Sequence, residues 1–146
     1  MSELMANSAR NQFLGRVVAV TTGAVNSEVV LDIGDNQTIA AIITNASVKN
    51  LNLKVGDEAY ALFKASWALI CLEPTLITSA RNNLEGVVES VSPGAVNGEV
   101  IVDLGSGKKV AAIVTNESLK RLKLEKGVKV SALVKSSHVI IGVKKK

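Results

Sequence analysis

An internal repeat constrains this chain more than any other feature. Ser8-Ala9-Arg10-Asn11 recurs as Ser79-Ala80-Arg81-Asn82, an offset of 71 residues. The same offset carries Gly23-Ala24-Val25-Asn26 onto Gly94-Ala95-Val96-Asn97, Ala40-Ala41-Ile42 onto Ala111-Ala112-Ile113, and Thr44-Asn45 onto Thr115-Asn116. Lys64 and Ser66 map onto Lys135 and Ser137, with no insertion or deletion on the way. Such a chain is expected to fold as two copies of one small unit. The copies run over 8–72 and 79–146 and join around Glu73-Pro74-Thr75, where Pro74 cannot extend a β ladder.

Within one copy the pattern is mostly strand. Phe13 to Val20 is rich in β-branched residues, and Ser27 to Ile33 places Val29, Leu31 and Ile33 on one face by two-residue alternation. Gly34-Asp35-Asn36 reads as a hairpin turn, matched by Gly105-Ser106-Gly107. A third strand is expected over Gln37 to Ile43. Thr44-Asn45-Ala46-Ser47 then resembles a capped helix start, and that helix must be short because Leu53 to Gly56 leads into a fourth strand, Asp57 to Lys64. A fifth strand, Trp67 to Leu72, is expected to close the unit. Three strands, a short helix and two strands is the order of a five-stranded OB-like barrel, so the fold class is all-β with two such barrels in tandem. Units of this size have small cores, which favours association of chains.

Composition narrows the setting. No apolar run approaches the ~20 residues of a membrane span. The start, Met1 to Asn7, carries Glu3 and no basic cluster, and does not read as a secretory signal. Cys71, the one cysteine, has no internal disulfide partner, which fits a reducing cytoplasm. Charge is uneven: residues 1–75 hold 5 Lys+Arg against 7 Asp+Glu, and residues 76–146 hold 12 against 6. A basic half raises the alternative of an OB-type nucleic-acid binder. Against it, bases stack on aromatic side chains, and Phe13, Tyr60, Phe63 and Trp67 all lie in the other half.

The two copies can be compared with each other. Many polar positions differ: Arg16 faces Val87, Lys54 faces Glu125, and Asp57 faces Val128. Three cation pairs are kept, Arg10/Arg81, Lys49/Lys120 and Lys64/Lys135, with the hydroxyl pairs Ser8/Ser79, Thr44/Thr115, Ser47/Ser118 and Ser66/Ser137. A buried dianion loses hydration, which charge and hydrogen bonds must offset. Arginine offers a planar fork of donors, lysine a compact charge, and hydroxyls rotate to donate. The kept set therefore suits a tetrahedral oxyanion, with Lys49/Lys120 read as solvated. One His and one Cys cannot make a zinc site, the shared acids Glu28/Glu99 and Asp32/Asp103 are too scattered for a cation cage, and no nucleophile–base pair suggests an enzyme. Gly105-Ser106-Gly107-Lys108-Lys109 lacks the spacing of a phosphate loop and reads as a turn.

Taken together, the S-A-R-N opening, the G-A-V-N-x-E-V segment, the T-N-x-S helix start and the K-x-S strand end resemble the molbindins, small cytoplasmic molybdate-binding proteins of bacteria. The same module occurs in a molybdate-responsive transcription regulator and in some molybdate-transporter ATPases. The resemblance covers both copies. It implies molybdate or tungstate as ligand, no separate cofactor, and six modules per assembly, here a homotrimer. By position, Ser8 and Arg10 from one module would meet Thr44, Ser47, Lys64 and Ser66 from a neighbour. Ser79, Arg81, Thr115, Ser118, Lys135 and Ser137 form the second set. A second kind of anion site would involve Gly23 to Asn26 (Gly23, Ala24, Val25, Asn26) and Gly94 to Asn97 (Gly94, Ala95, Val96, Asn97). Ala65-Ser66-Trp67 against Ser136-Ser137-His138 is the main difference beside the sites.

Overall fold

In the computed structural model of the chain, residues 7–72 and 76–145 are described. The start at Met1 to Ala6, the junction Glu73-Pro74-Thr75 and Lys146 lie outside them. The first repeat forms β1 (Asn11–Thr22), β2 (Asn26–Gly34), β3 (Gln37–Thr44), α1 (Asn45–Leu51), β4 (Glu58–Phe63), a 3-10 turn (Ala65–Trp67) and β5 (Leu69–Leu72). The second gives β6 (Asn82–Pro93), β7 (Asn97–Gly105), β8 (Lys108–Thr115), α2 (Asn116–Arg121), β9 (Lys129–Val134), a 3-10 turn (Ser136–His138) and β10 (Ile140–Gly142). Both sheets are five-stranded and antiparallel, as expected for two OB-like units. None of the helices among the described residues is long and apolar enough to cross a membrane.

The ladders follow from local chemistry. Alternation buries Val29, Leu31 and Ile33 on one face of β2, and Val100, Val102 and Leu104 on one face of β7. Asp35 and Asn36 sit at φ 56° and 61°, the double left-handed turn that matches strand twist, and Ser106 and Gly107 repeat it at 53° and 80°. One of the acid pairs kept in both copies is explained here. Asp32 Oδ1 accepts the Gly34 N–H at 2.8 Å, and Asp103 Oδ1 accepts the Gly105 N–H at 2.8 Å. β1 and β6 each carry a bulge, between Val17 and Ala19 and between Val88 and Ser90. Just before each bulge lies a glycine with another strand against it. A Cβ on Gly15 would come within 2.9 Å of Asp32 O, and one on Gly86 within 2.4 Å of Asp103 O.

Two expectations change. First, the fifth strands are exchanged. The first sheet runs β10-β4-β1-β2-β3 and the second β5-β9-β6-β7-β8. Ile141 of β10 pairs with Ala61, and Cys71 of β5 pairs with Ser131. The compact units are therefore 1–63 with 135–146, and 64–134, each gathering residues from both repeats. The physical reason is that β4 and β9 offer equivalent free edges, and the first turn after either strand leads the chain away from its own sheet. Second, the expected strand over Trp67 to Leu72 begins later. Ala65 to Trp67 close a 3-10 turn, with Trp67 N–H donating to Lys64 O at 3.0 Å.

Each unit has its own core. In the first, Phe13 and Phe63 stack with ring centroids 6.0 Å apart over Val17, Val29, Leu31 and Ile39. In the second, Leu84 and Val134 take the phenylalanine positions and pack with Val88, Val100, Val110 and Val130.

Candidate functional site

The helix starts are built alike. Thr44 is extended (φ −72°, ψ 153°) and caps α1, its hydroxyl oxygen accepting the Ser47 N–H at 3.0 Å. Thr44 Oγ1 also donates to Ser47 Oγ at 2.8 Å. Thr115 and Ser118 repeat the pair at 3.1 and 2.9 Å. A hydroxyl has a single hydrogen, so the threonine is committed inward while the serine's own O–H remains available to a further acceptor. In the second unit Arg121 joins the serine, Nη2 to Ser118 Oγ at 3.3 Å.

Asn45 and Asn116, kept in both copies, tie the glycine loops to these helix starts. Asn45 Nδ2 donates to Gly23 O at 3.0 Å and its backbone N–H to Val25 O at 2.9 Å. Asn116 does the same to Gly94 O at 2.8 Å and Val96 O at 2.9 Å. A Cβ on Gly23 would lie 2.7 Å from Asn26 O, and one on Gly94 2.4 Å from Asn97 O. Loop geometry thus accounts for keeping Gly23 to Asn26 and Gly94 to Asn97. Their carbonyls turn inward as acceptors, and Val25 and Val96 stand out, 70% and 72% exposed.

Ser8 and Arg10 are exposed, as are Ser79 and Arg81. Their segments are pinned locally. Ala9 N–H donates to Asn7 Oδ1 at 2.9 Å and Gln12 Nε2 to Ala9 O at 2.7 Å, while Ala80 N–H donates to Thr78 Oγ1 at 3.2 Å. Behind each arginine an asparagine is almost fully buried, Asn11 at 1% and Asn82 at 2% exposure. These two anchors were not singled out from the sequence, although they complete the S-A-R-N motif.

Lys64, Ser66, Lys135 and Ser137 are all exposed; Lys64 and Lys135 are extended residues at the entry to 3-10 turns, and Ser66 and Ser137 lie within those turns. Strand exchange also regroups them. The Ser136–His138 turn packs against β3, the strand that ends at Thr44, and the Ala65–Trp67 turn packs against β8, which ends at Thr115. Thr44 and Ser47 thus share a compact unit with Lys135 and Ser137, and Thr115 and Ser118 share one with Lys64 and Ser66. The order within one repeat had grouped Thr44 and Ser47 with Lys64 and Ser66. Beside these groups, Lys64 Nζ lies 5.5 Å from the centre of the Trp67 ring.

Among the described residues no cluster of His, Cys, Asp and Glu is arranged to hold a metal ion. Phe13 and Phe63 are core residues, so they supply no surface on which bases stack. Each unit exposes a lysine and several hydroxyls on short turns, and an arginine just before its first strand: the donor set of a binding protein for a small anion.

The comparisons agree with that class. Residues 7–70 and 78–141 each match the TOBE domain. The chain is 45% identical over 139 residues to the molybdenum transport protein ModE of Azotobacter vinelandii, covering 95% of this chain and 52% of that protein. It is 41% identical over 141 residues to the molybdenum-pterin-binding protein MopA of Rhodobacter capsulatus, covering 95% of this chain and 53% of that one. The chain therefore spans about half the length of these curated relatives. The crystal structure of the cytoplasmic molybdate-binding protein ModG with molybdate bound matches with a TM-score of 0.91 and 41% identity, over 94% of this chain and 99% of that one. The chain belongs to the TOBE-domain family, in the two-module form of the molbindins.

Proposed function

We propose that the protein binds molybdate or tungstate in the cytoplasm, holding molybdenum in reserve rather than acting on it as an enzyme. The reading rests above all on one arrangement present twice: an exposed Lys-x-Ser turn packed on the strand that ends in a Thr–Ser hydroxyl pair. Likeness to molybdate-bound ModG over nearly that protein's whole length supports molybdate as the ion. Ser8, Arg10, Thr44, Ser47, Lys64 and Ser66, with Ser79, Arg81, Thr115, Ser118, Lys135 and Ser137, are the proposed ligand residues. An arginine and a lysine together offset the −2 charge, and charge-assisted hydrogen bonds contribute roughly 1.5–3 kcal/mol each. The glycine loops at 23–26 and 94–97 are proposed as a second kind of site.

Assembly as a homotrimer of six modules is part of the proposal. It is supported by apolar surface that a lone chain leaves in water: Leu69 at 66%, Leu76 at 69%, Ile77 at 104% and Ile140 at 55% exposure. In the second unit an open groove of about 570 Å³ is lined by Leu69, Leu72, Leu76, Val114, Leu122 and Leu133 among others.

Calorimetric titration with molybdate, tungstate, sulfate and phosphate, with native mass spectrometry for the assembly, tests both parts. Heat is expected from the two larger ions and little from sulfate. Arg10→Ala with Arg81→Ala is expected to remove most binding while circular dichroism stays unchanged. Absence of heat with all four ions would sink the reading, and unaltered affinity in the double variant would remove the arginines from the site.

A further inference from the structure

The two groupings of lysine and hydroxyls are not equally prepared. One unit brings together Lys64, Ser66, Thr115 and Ser118, and the other Lys135, Ser137, Thr44 and Ser47. In the former, the lysine and a serine each have a further partner. Lys64 Nζ lies 5.5 Å from the centre of the Trp67 ring. Arg121 Nη2 donates to Ser118 Oγ at 3.3 Å, and Thr115 Oγ1 donates to the same oxygen at 2.9 Å. At the equivalent positions, 71 residues away, the other grouping has His138 for Trp67 and Asn50 for Arg121. Ser47 Oγ there accepts the Thr44 hydroxyl at 2.8 Å. Trp67 is the only tryptophan in the chain.

We propose that the two sites are unequal: the one with Lys64 and Ser118 fills first, and Trp67 and Arg121 are the positioning residues that set the difference. This rests on the oxyanion reading above and adds an order of filling to it. Among aromatic rings, the indole face attracts an ammonium most strongly. The ring takes one side of the ammonium, and N–H groups on the other side stay open to an oxyanion. A free exposed lysine gives up more side-chain freedom on binding than one already resting on a ring. The serine is prepared differently. A hydroxyl oxygen has two lone pairs and one hydrogen. On Ser118 the guanidinium and Thr115 occupy both lone pairs, so its O–H is left to point outward as a donor. On Ser47 the threonine occupies one lone pair, and the hydrogen has more directions open to it. Arg121 also places a permanent positive charge beside the hydroxyl that meets the anion, where Asn50 places none. Donors already aimed cost less to order, and the saving appears as affinity.

The test uses the whole chain with molybdate as probe, followed by tryptophan emission and by calorimetry on the same solution. Trp67 reports on its own site, because an anion at Lys64 changes the charge over the indole. Two classes of site are expected, differing roughly tenfold, the scale of one cation–π contact with one ordered hydroxyl. Emission should reach its end point before the heat does. Arg121→Asn should weaken the tighter class alone and leave the weaker one where it was, an outcome that a general loss of stability would not give. Trp67→Leu, read by calorimetry, should do the same, and Asn50→Arg should tighten the weaker class. A single class with emission following all of the heat overturns the proposal. So do heat without any change of emission, and two classes of which the emission follows the weaker. These readings come from the unaltered chain, so they decide the matter even where a substitution fails to fold. A tighter class untouched by both Arg121→Asn and Trp67→Leu overturns it as well. No heat at any molybdate concentration overturns the functional reading instead.

Discussion

In the first repeat Ser27 donates a 2.5 Å hydrogen bond to Asn45 Oδ1, while in the second Gly98 stands at that position and Asn116 Oδ1 is buried without a partner. The change is matched one helical turn into the neighbouring helix. Val48 is half-buried, whereas Leu119, its counterpart, is 7% exposed and reaches toward the room the serine would take. A Cβ on Gly98 would meet Leu119 Cδ1 at 2.6 Å and Ser92 O at 3.1 Å. One copy thus fixes its glycine loop with a polar pair and the other with an apolar contact. The second solution gains burial but leaves an acceptor unmade, a cost of about 1–3 kcal/mol. A repeated fold can therefore keep its geometry while changing what holds it.

The largest effect expected on this contrast comes from Gly98→Ser. Alone it should lower stability by about 1–3 kcal/mol through overpacking, read as a drop in the denaturation midpoint. Paired with Leu119→Val, the first repeat's residue, much of the loss should return as the serine reaches Asn116. If the pair is no better than the single change, the two positions are not coupled. A smaller difference separates Asn45→Ala from Asn116→Ala. The first loses two side-chain hydrogen bonds and strands the buried Ser27 hydroxyl, while the second loses one bond and removes an orphaned acceptor. Asn45→Ala should be the worse by roughly 1 kcal/mol, and equal midpoints would mean that the serine bond adds nothing. Least of all is expected from Lys109→Met. Glu89 hydrogen-bonds Lys109 and attracts its charge, holding the ammonium above the ordinary lysine range. Any stability from this exposed pair is complete below the usual lysine titration and disappears as pH rises through the raised one. Thermal midpoints at neutral pH should be unchanged, since such surface pairs are screened.

Much of the fold was legible because the signals were local. Thr44-Asn45 gave the helix cap, Asp35-Asn36 the hairpin, and Val29-Leu31-Ile33 the buried face, each from chemistry within four or five residues. Strand exchange was not legible, since alternation tells which face of a strand is buried but not whose sheet it joins. Ile70 pairs with Ala132 and Ile141 with Ala61, so the edges each strand could choose between are nearly the same. The 3-10 turns were missed because Ala65-Ser66-Trp67 carries neither glycine nor proline to mark a bend. Comparing the copies did find exposed candidates that the family resemblance also selects. It passed over Asn11 and Asn82, which are buried behind the arginines.

Exchange of the fifth strands separates what is inherited from what folds. A substitution in Ile140 or Ile141 belongs by descent to the second copy, yet its effect falls on the first sheet, beside Leu62 and Ala61. Each copy thus carries a strand that completes its sibling's sheet. A change in the fifth strand of either half is therefore felt first in the other half's sheet.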